Sequence, residues 1–95
     1  MLTSKDRAKL RALANQIDTI LQVGKGGIGP QLIKQVDDAL EARELIKIRV
    51  LETAPGFARE VGEELAQATN SEVVQTIGTK IVFYRKNRKN PKIQL

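Results

Sequence analysis

The sequence predicts one α/β domain of the α+β two-layer kind, a four-stranded mixed sheet with three helices in the order α-β-α-β-α-β-β. Three observations carry that expectation. The chain's 95 residues are enough for a single domain with one modest core. Apolar residues recur at helical spacing in three stretches and alternate with polar ones in the stretches between them. Strand–helix–strand succession favours parallel pairing through a right-handed crossover, whereas two strands joined tightly around Gly78-Thr79 form an antiparallel hairpin.

Each element has its own justification. In "TSKDRAKLRALANQI" Leu10, Leu13, Ala14 and Ile17 share a helix face, and Thr3 or Ser4 is available as N-cap. "TILQV" is a short strand that leads into a glycine loop. Gly29 as N-cap and Pro30 as first helical residue open the second helix. Its apolar stripe is Leu32, Ile33, Val36, Ala39 and Leu40, down to about Ala42. "LIKIRVLE" alternates Ile46, Ile48 and Val50 against Lys47 and Arg49, a strand with one buried face. "TAPG" interrupts, and "FAREVGEELAQAT" resumes as a helix with Phe57, Val61 and Leu65 in register. Gly62 inside that helix costs about 1 kcal/mol relative to alanine, which points to close packing on the sheet. "SEVVQTIG" and "KIVFYRK" make the hairpin, and alternation sends Phe83 and Tyr84 to opposite faces. Residues 1–86 form the domain. Residues 87–95, "NRKNPKIQL", carry too few apolar side chains to add core and read as a mobile basic tail.

Composition removes whole classes of chemistry. The chain has neither cysteine nor histidine, which excludes thiol catalysis, disulfides, zinc sites built on those residues and histidine acid–base chemistry. No cofactor or metal is expected. The longest strongly apolar run, "IVFY" at 81–84, is too short for a membrane span or a signal peptide. A soluble, cytoplasmic protein that does not engage membrane is the natural expectation.

Charge is segregated along the chain. The net charge is +5, made up of +3 in residues 1–25, −4 in 26–79 and +6 in 80–95. Basic ends flanking an acidic middle form an electrostatic footprint for a polyanion, nucleic acid ahead of membrane. Lys5, Arg7, Lys9 and Arg11 crowd the start of the first helix, where the helix dipole prefers acids. A solvated face and a phosphate-facing role both fit them, so Arg7 and Arg11 are candidate contacts.

The loop "GKGGIG" admits two chemical readings. Gly24, Gly26 and Gly29 stand at the G-x-G-x-x-G spacing of dinucleotide-binding folds. That motif places its third glycine inside the helix, where Pro30 would then lose a hydrogen bond and clash. A doubly wound fold also needs two mononucleotide halves, and this chain has residues for barely one. The other reading uses Gly24, Lys25, Gly26 and Gly27 as a G-x-x-G loop ahead of a helix, whose bare backbone approaches nucleic-acid phosphates as in KH-type RNA binding. Lys25 adds a mobile cation with no role in a core. A turn that needs positive φ explains at least one glycine but not the lysine.

Taken together, "LTSKDRAKLRALA", "ILQVGKGGI", "LIKQVDDALEARELIKIRVL", "EVGEELAQAT" and "IGTKIVFYRK" resemble the CRM-domain family in its free-standing bacterial, YhbY-like form. The resemblance runs from about Leu2 to Lys86. It implies a fold similar to the C-terminal domain of translation initiation factor three, RNA binding, and association with precursors of the large ribosomal subunit during ribosome assembly. The family's loop motif falls on Gly24, Lys25, Gly26 and Gly27, and its terminal basic strand on Tyr84, Arg85 and Lys86.

The resulting expectation is a non-catalytic RNA-binding protein. Lys25 and the loop amides track the backbone, and Arg85, Lys86, Arg88, Lys89 and Lys92 extend the contact. Tyr84 either stacks on a base or belongs to the core. Few aromatics favour recognition of RNA shape and backbone. Two other classes stay open: a small nucleotide or dinucleotide binder using the glycine loop, and an interaction module whose acidic middle docks ribosomal proteins.

Overall fold

The computed structural model describes residues 2–95. The elements follow the expected order: α1 (Ser4–Ala14), β1 (Thr19–Val23), α2 (Pro30–Arg43), β2 (Leu45–Val50), α3 (Ala58–Thr69), β3 (Glu72–Ile77) and β4 (Lys80–Tyr84). The sheet order is β1-β2-β4-β3. β1 and β2 are parallel, and β4 runs antiparallel to both β2 and β3. The last strand in sequence is therefore central in space, which explains why "KIVFY" is apolar on both faces.

The two faces of β4 anchor two clusters. Ile81 and Phe83 join Val23, Ile46, Ile48 and Val50 beneath Val36 and Leu40 of α2 and Val61, Leu65 and Ala66 of α3. Val82 and Tyr84 face the other way, with Leu45 and Val74, against Leu10 and Ala14 of α1. The sheet with α2 and α3 makes the two-layer body. α1 and the C-terminal segment lie on the sheet's reverse face. Gly62 lets α3 pack close to the sheet, since a Cβ there would stand 3.2 Å from Ile81 Cγ2.

Helix ends follow local chemistry. At α1 the Thr3 hydroxyl accepts the Asp6 N–H at 3.0 Å and the Asp6 carboxylate accepts the Thr3 N–H at 3.1 Å, a reciprocal cap. Those bonds from Thr3 hold the Asp6 carboxyl below its usual range. They also offset the crowding of basic residues in the first turns. Gly29 and Pro30 occupy the N-cap and first position of α2 as expected. One expectation fails at α3. Phe57, read as part of the buried stripe, is the N-cap residue and is 80% exposed. The helix starts one residue later, and its inward face runs from Ala58 through Val61 and Leu65.

The mobile tail is also corrected. Glu44 ends α2 at φ 66 and its side chain is fully buried. Its carboxylate accepts the N–H groups of Asn87 (2.7 Å), Lys92 (2.6 Å) and Ile93 (2.7 Å). Ile93 packs against the α1-side cluster. Backbone donors of the tail supply what its few apolar side chains could not.

Candidate nucleic-acid interface

Strand direction gives the sheet two structurally different ends. The parallel strands β1 and β2 both finish at the first end, where the β3–β4 turn also lies. There the Leu51 N–H donates to the Val23 carbonyl (2.9 Å) and the Val50 N–H to the Thr79 carbonyl (2.7 Å). The glycine loop, the β2–α3 connection and the hairpin turn therefore cluster together.

Within the loop, the Gly27 N–H donates to the Gly24 carbonyl at 2.9 Å, closing a tight turn with Lys25 and Gly26 exposed at its corners. Gly27 has φ 65, and a Cβ on it would lie 2.9 Å from Pro55 Cγ. Both its conformation and its neighbour exclude a side chain. Gly26 has no neighbour within 4 Å of where its Cβ would be. Its bareness serves nothing inside the fold and leaves the backbone open to an outside partner. The first turn of α2 follows directly and carries no acidic residue, so its free N–H groups add positive potential at the same place.

On the reverse face of the sheet, the half that α1 leaves open is basic. Gln22, Arg49, Lys80 and Ile77 lie side by side across β1, β2, β4 and β3, and all four are exposed. Lys47 pairs with Val82 on the same face. The helical positions of Arg7 and Arg11 place them on the flank of α1 away from Asp6 and Lys9, toward this open half. Arg7 also donates to the Val73 carbonyl at 3.0 Å. Sequence reasoning did not single out Lys47, Arg49 or Lys80 as candidates. The signal for Lys47 and Arg49 was the alternation in "LIKIRV", read as a strand with one buried face, and Lys80 lay in the basic C-terminal stretch.

The remaining candidates lie at the opposite end, beyond β4, whose five residues separate the two ends by roughly 17 Å. Lys86, Arg88 and Lys89 are exposed there. Lys92 is exposed too, with its ammonium donating to the Ala42 carbonyl. The structure withdraws Tyr84 and Arg85 from the contact surface. Tyr84 is only 5% exposed because α1 covers the second face of its strand. Burial, followed by the Glu44, Asp6 and Glu72 carboxylates, pushes its hydroxyl pKa up. The Arg85 side chain is 19% exposed and ties the second half of α2 to the end of α3. It donates to the Asp37 carboxylate (2.6 Å), the Thr69 carbonyl (2.8 Å), the Asp37 carbonyl (3.1 Å) and the Glu41 carboxylate (3.2 Å).

Acidic residues gather elsewhere. Asp37, Asp38 and Glu41 on α2 and Glu60, Glu63 and Glu64 on α3 are exposed on the outer helical layer. Two of them pair with basic neighbours one turn away, Lys34 with Asp38 and Arg59 with Glu63. Among the described residues no cluster of side chains could hold a metal ion, and no helix is long and apolar enough to cross a membrane.

A bare loop at a helix start, a basic sheet face and acidic helices turned away give this α/β module sides of opposite charge. The chain belongs to the CRS1/YhbY (CRM) domain family, whose model matches residues 2–85. It is 45% identical over 95 residues to the probable RNA-binding protein YqeI of Bacillus subtilis, covering 100% of this chain and 99% of that one. It is 38% identical over 86 residues to the probable RNA-binding protein MJ0652 of Methanocaldococcus jannaschii, covering 88% of this chain and 63% of that longer one. The solution structure of the hypothetical protein SAV1595 from Staphylococcus aureus superimposes with a TM-score of 0.82 at 52% identity, covering 100% of this chain and 99% of that one.

Proposed function

We propose that this chain is a non-catalytic RNA-binding protein of the cytoplasm that attaches to precursors of the large ribosomal subunit during their assembly. The observation that carries the binding role is the exposed Gly24-Lys25-Gly26-Gly27 turn at the head of α2. Beside it, Arg49 and Lys80 stand in register on an open sheet face. Phosphates meet the loop amides and Lys25, and the flanking backbone lies along Arg49, Lys80, Lys47 and the Arg7–Arg11 flank of α1. Lys86, Arg88, Lys89 and Lys92, at the far end, reach a second stretch of the same folded RNA. Contacts of this kind read backbone and shape rather than base sequence. The acidic outer surface of α2 and α3 faces away from the RNA and suits contact with basic ribosomal proteins.

The assembly role rests on the family's resemblance and is tested in cells. A sucrose gradient of lysate at low salt should place the chain with immature large subunits, and raised salt should release it. Signal confined to small-subunit fractions, or to the top of the gradient even at low salt, would overturn the assignment. In vitro, engagement of about five cations with single-stranded RNA gives a log–log salt slope of roughly −3.5. A slope near zero would remove the electrostatic basis of the proposal.

A further inference from the structure

Phe57 stands in an environment that neither packing nor helix capping explains. It is 80% exposed, while the other two aromatic residues, Phe83 and Tyr84, are buried. It is the N-cap of α3 but makes no side-chain capping bond, at a position where serine, threonine or aspartate would satisfy a free N–H. Its backbone, at φ −85 and ψ 156, is ordinary extended chain. The ring borders an open groove floored by Val50, Leu51, Ala54 and Pro55 and closed on its far side by the hairpin turn at Gly78 and Thr79.

The groove is joined to the glycine loop by direct packing. Pro55, one of its lining residues, is the residue that approaches Gly27 so closely that a side chain there is excluded. A strand of RNA held at Lys25 therefore passes the mouth of this groove. Glu52 and Arg59 both line the groove, and Arg59 is paired with Glu63, so it carries no net positive charge to draw a phosphate and its apolar lining suits a base. An exposed aromatic ring offers a stacking face to any of the four bases, whatever the sequence.

We infer that Phe57 is a stacking platform for an unpaired base of the RNA whose backbone the Gly24–Gly27 loop holds. This rests on the RNA-binding reading and narrows it. Bases inside a duplex are already stacked on one another, so the target carries at least one unpaired nucleotide next to the clamped phosphate.

The test compares two RNAs of equal length, one fully paired and one with an unpaired internal loop, by filter binding at low salt. Phe57→Ala should weaken binding to the looped RNA by about tenfold, the scale of one base stacked on an aromatic ring, and leave duplex binding unchanged. The chain contains no tryptophan, so Phe57→Trp supplies a single reporter at this position. It should retain affinity, and the looped RNA should quench its fluorescence. If the unmodified protein binds but Phe57→Ala binds the looped RNA as tightly as the unmodified protein does, or the tryptophan stays unquenched, the stacking platform is wrong and the loop contact survives. If the unmodified protein binds neither RNA, the RNA-binding reading fails and this inference with it.

Discussion

The Glu44 carboxylate accepts the backbone N–H of Lys92 at 2.6 Å, joining the end of α2 to a segment 48 residues away in sequence. Two further tail amides, those of Asn87 and Ile93, point at the same buried group. Glu44 also holds a positive φ that favours glycine, so its side chain gives the position its value. Glu44→Ala leaves three donors without their acceptor and should cost about 3 kcal/mol of stability. Denaturant unfolding at neutral pH measures it, and a loss below about 1 kcal/mol would show that the tail is not latched.

Glu44 also sets a pH dependence. Burial raises its pKa, but the amides of Asn87, Lys92 and Ile93 and the Lys92 charge outweigh burial, and the net shift is downward from 4.5. A carboxyl depressed in the folded state contributes stability that is complete above the unfolded value and lost as pH falls through the folded one. Unfolding midpoints should therefore hold from neutrality to about pH 5 and decline below it. Asp6, also held low, adds a slope of the same sign. The comparison is accordingly with Glu44→Gln, which should be less stable at pH 7 and show a shallower decline in acid. Equal slopes would assign the dependence to other groups.

Removing residues 87–95 should destabilise the domain, although the composition of that segment suggests a free tail. The truncation deletes all three donors to Glu44 and takes Ile93 from the α1-side cluster. Its melting temperature should fall by about 10 °C or more, as for Glu44→Ala. The two changes combined should cost much less than their sum, because they break the same contact. Full additivity would separate them.

The four-residue loop separates conformation from contact. Gly27→Ala forces a side chain into positive φ and against Pro55 and should cost about 1–3 kcal/mol. Gly26→Ala should stay within about 0.5 kcal/mol of the parent, because its surroundings are open. Gly26→Asp should fold as the parent does yet lose most RNA binding, because a carboxylate would stand where the proposed function places a phosphate. Normal RNA binding by Gly26→Asp would refute the loop contact.

Adjacent cations on the C-terminal segment should behave differently. Arg85→Met removes a part-buried clamp between α2 and the end of α3 and should cost about 2 kcal/mol of stability. The double variant Arg88→Ala, Lys89→Ala should melt normally and reduce the RNA salt slope by about 1.4. The reverse pattern would mean that Arg85 is the RNA contact and the exposed pair is idle.

The sequence by itself determined the elements, their order and the chemistry of the loop. Helical and alternating patterns, the Gly29-Pro30 helix start and the Gly78-Thr79 hairpin are local signals, written within a few residues of where they act. The bare Gly26 beside Lys25 was legible for the same reason. Only the tertiary structure decided which side chains are free to meet a partner. Tyr84 and Arg85 look like neighbours of Lys86 in sequence, but α1 buries the first and Asp37, Glu41 and Thr69 engage the second. Lys47, Arg49 and Lys80 look like ordinary strand charges until pairing sets them beside one another on a face that α1 leaves open. Phe57 fits a buried stripe until the helix is seen to begin after it. Glu44 and the amides it caps lie more than 40 residues apart, and no periodicity links a carboxylate to distant backbone donors. Burial and pairing depend on which elements meet across the sheet, and that is set by the whole chain at once rather than by any stretch of it.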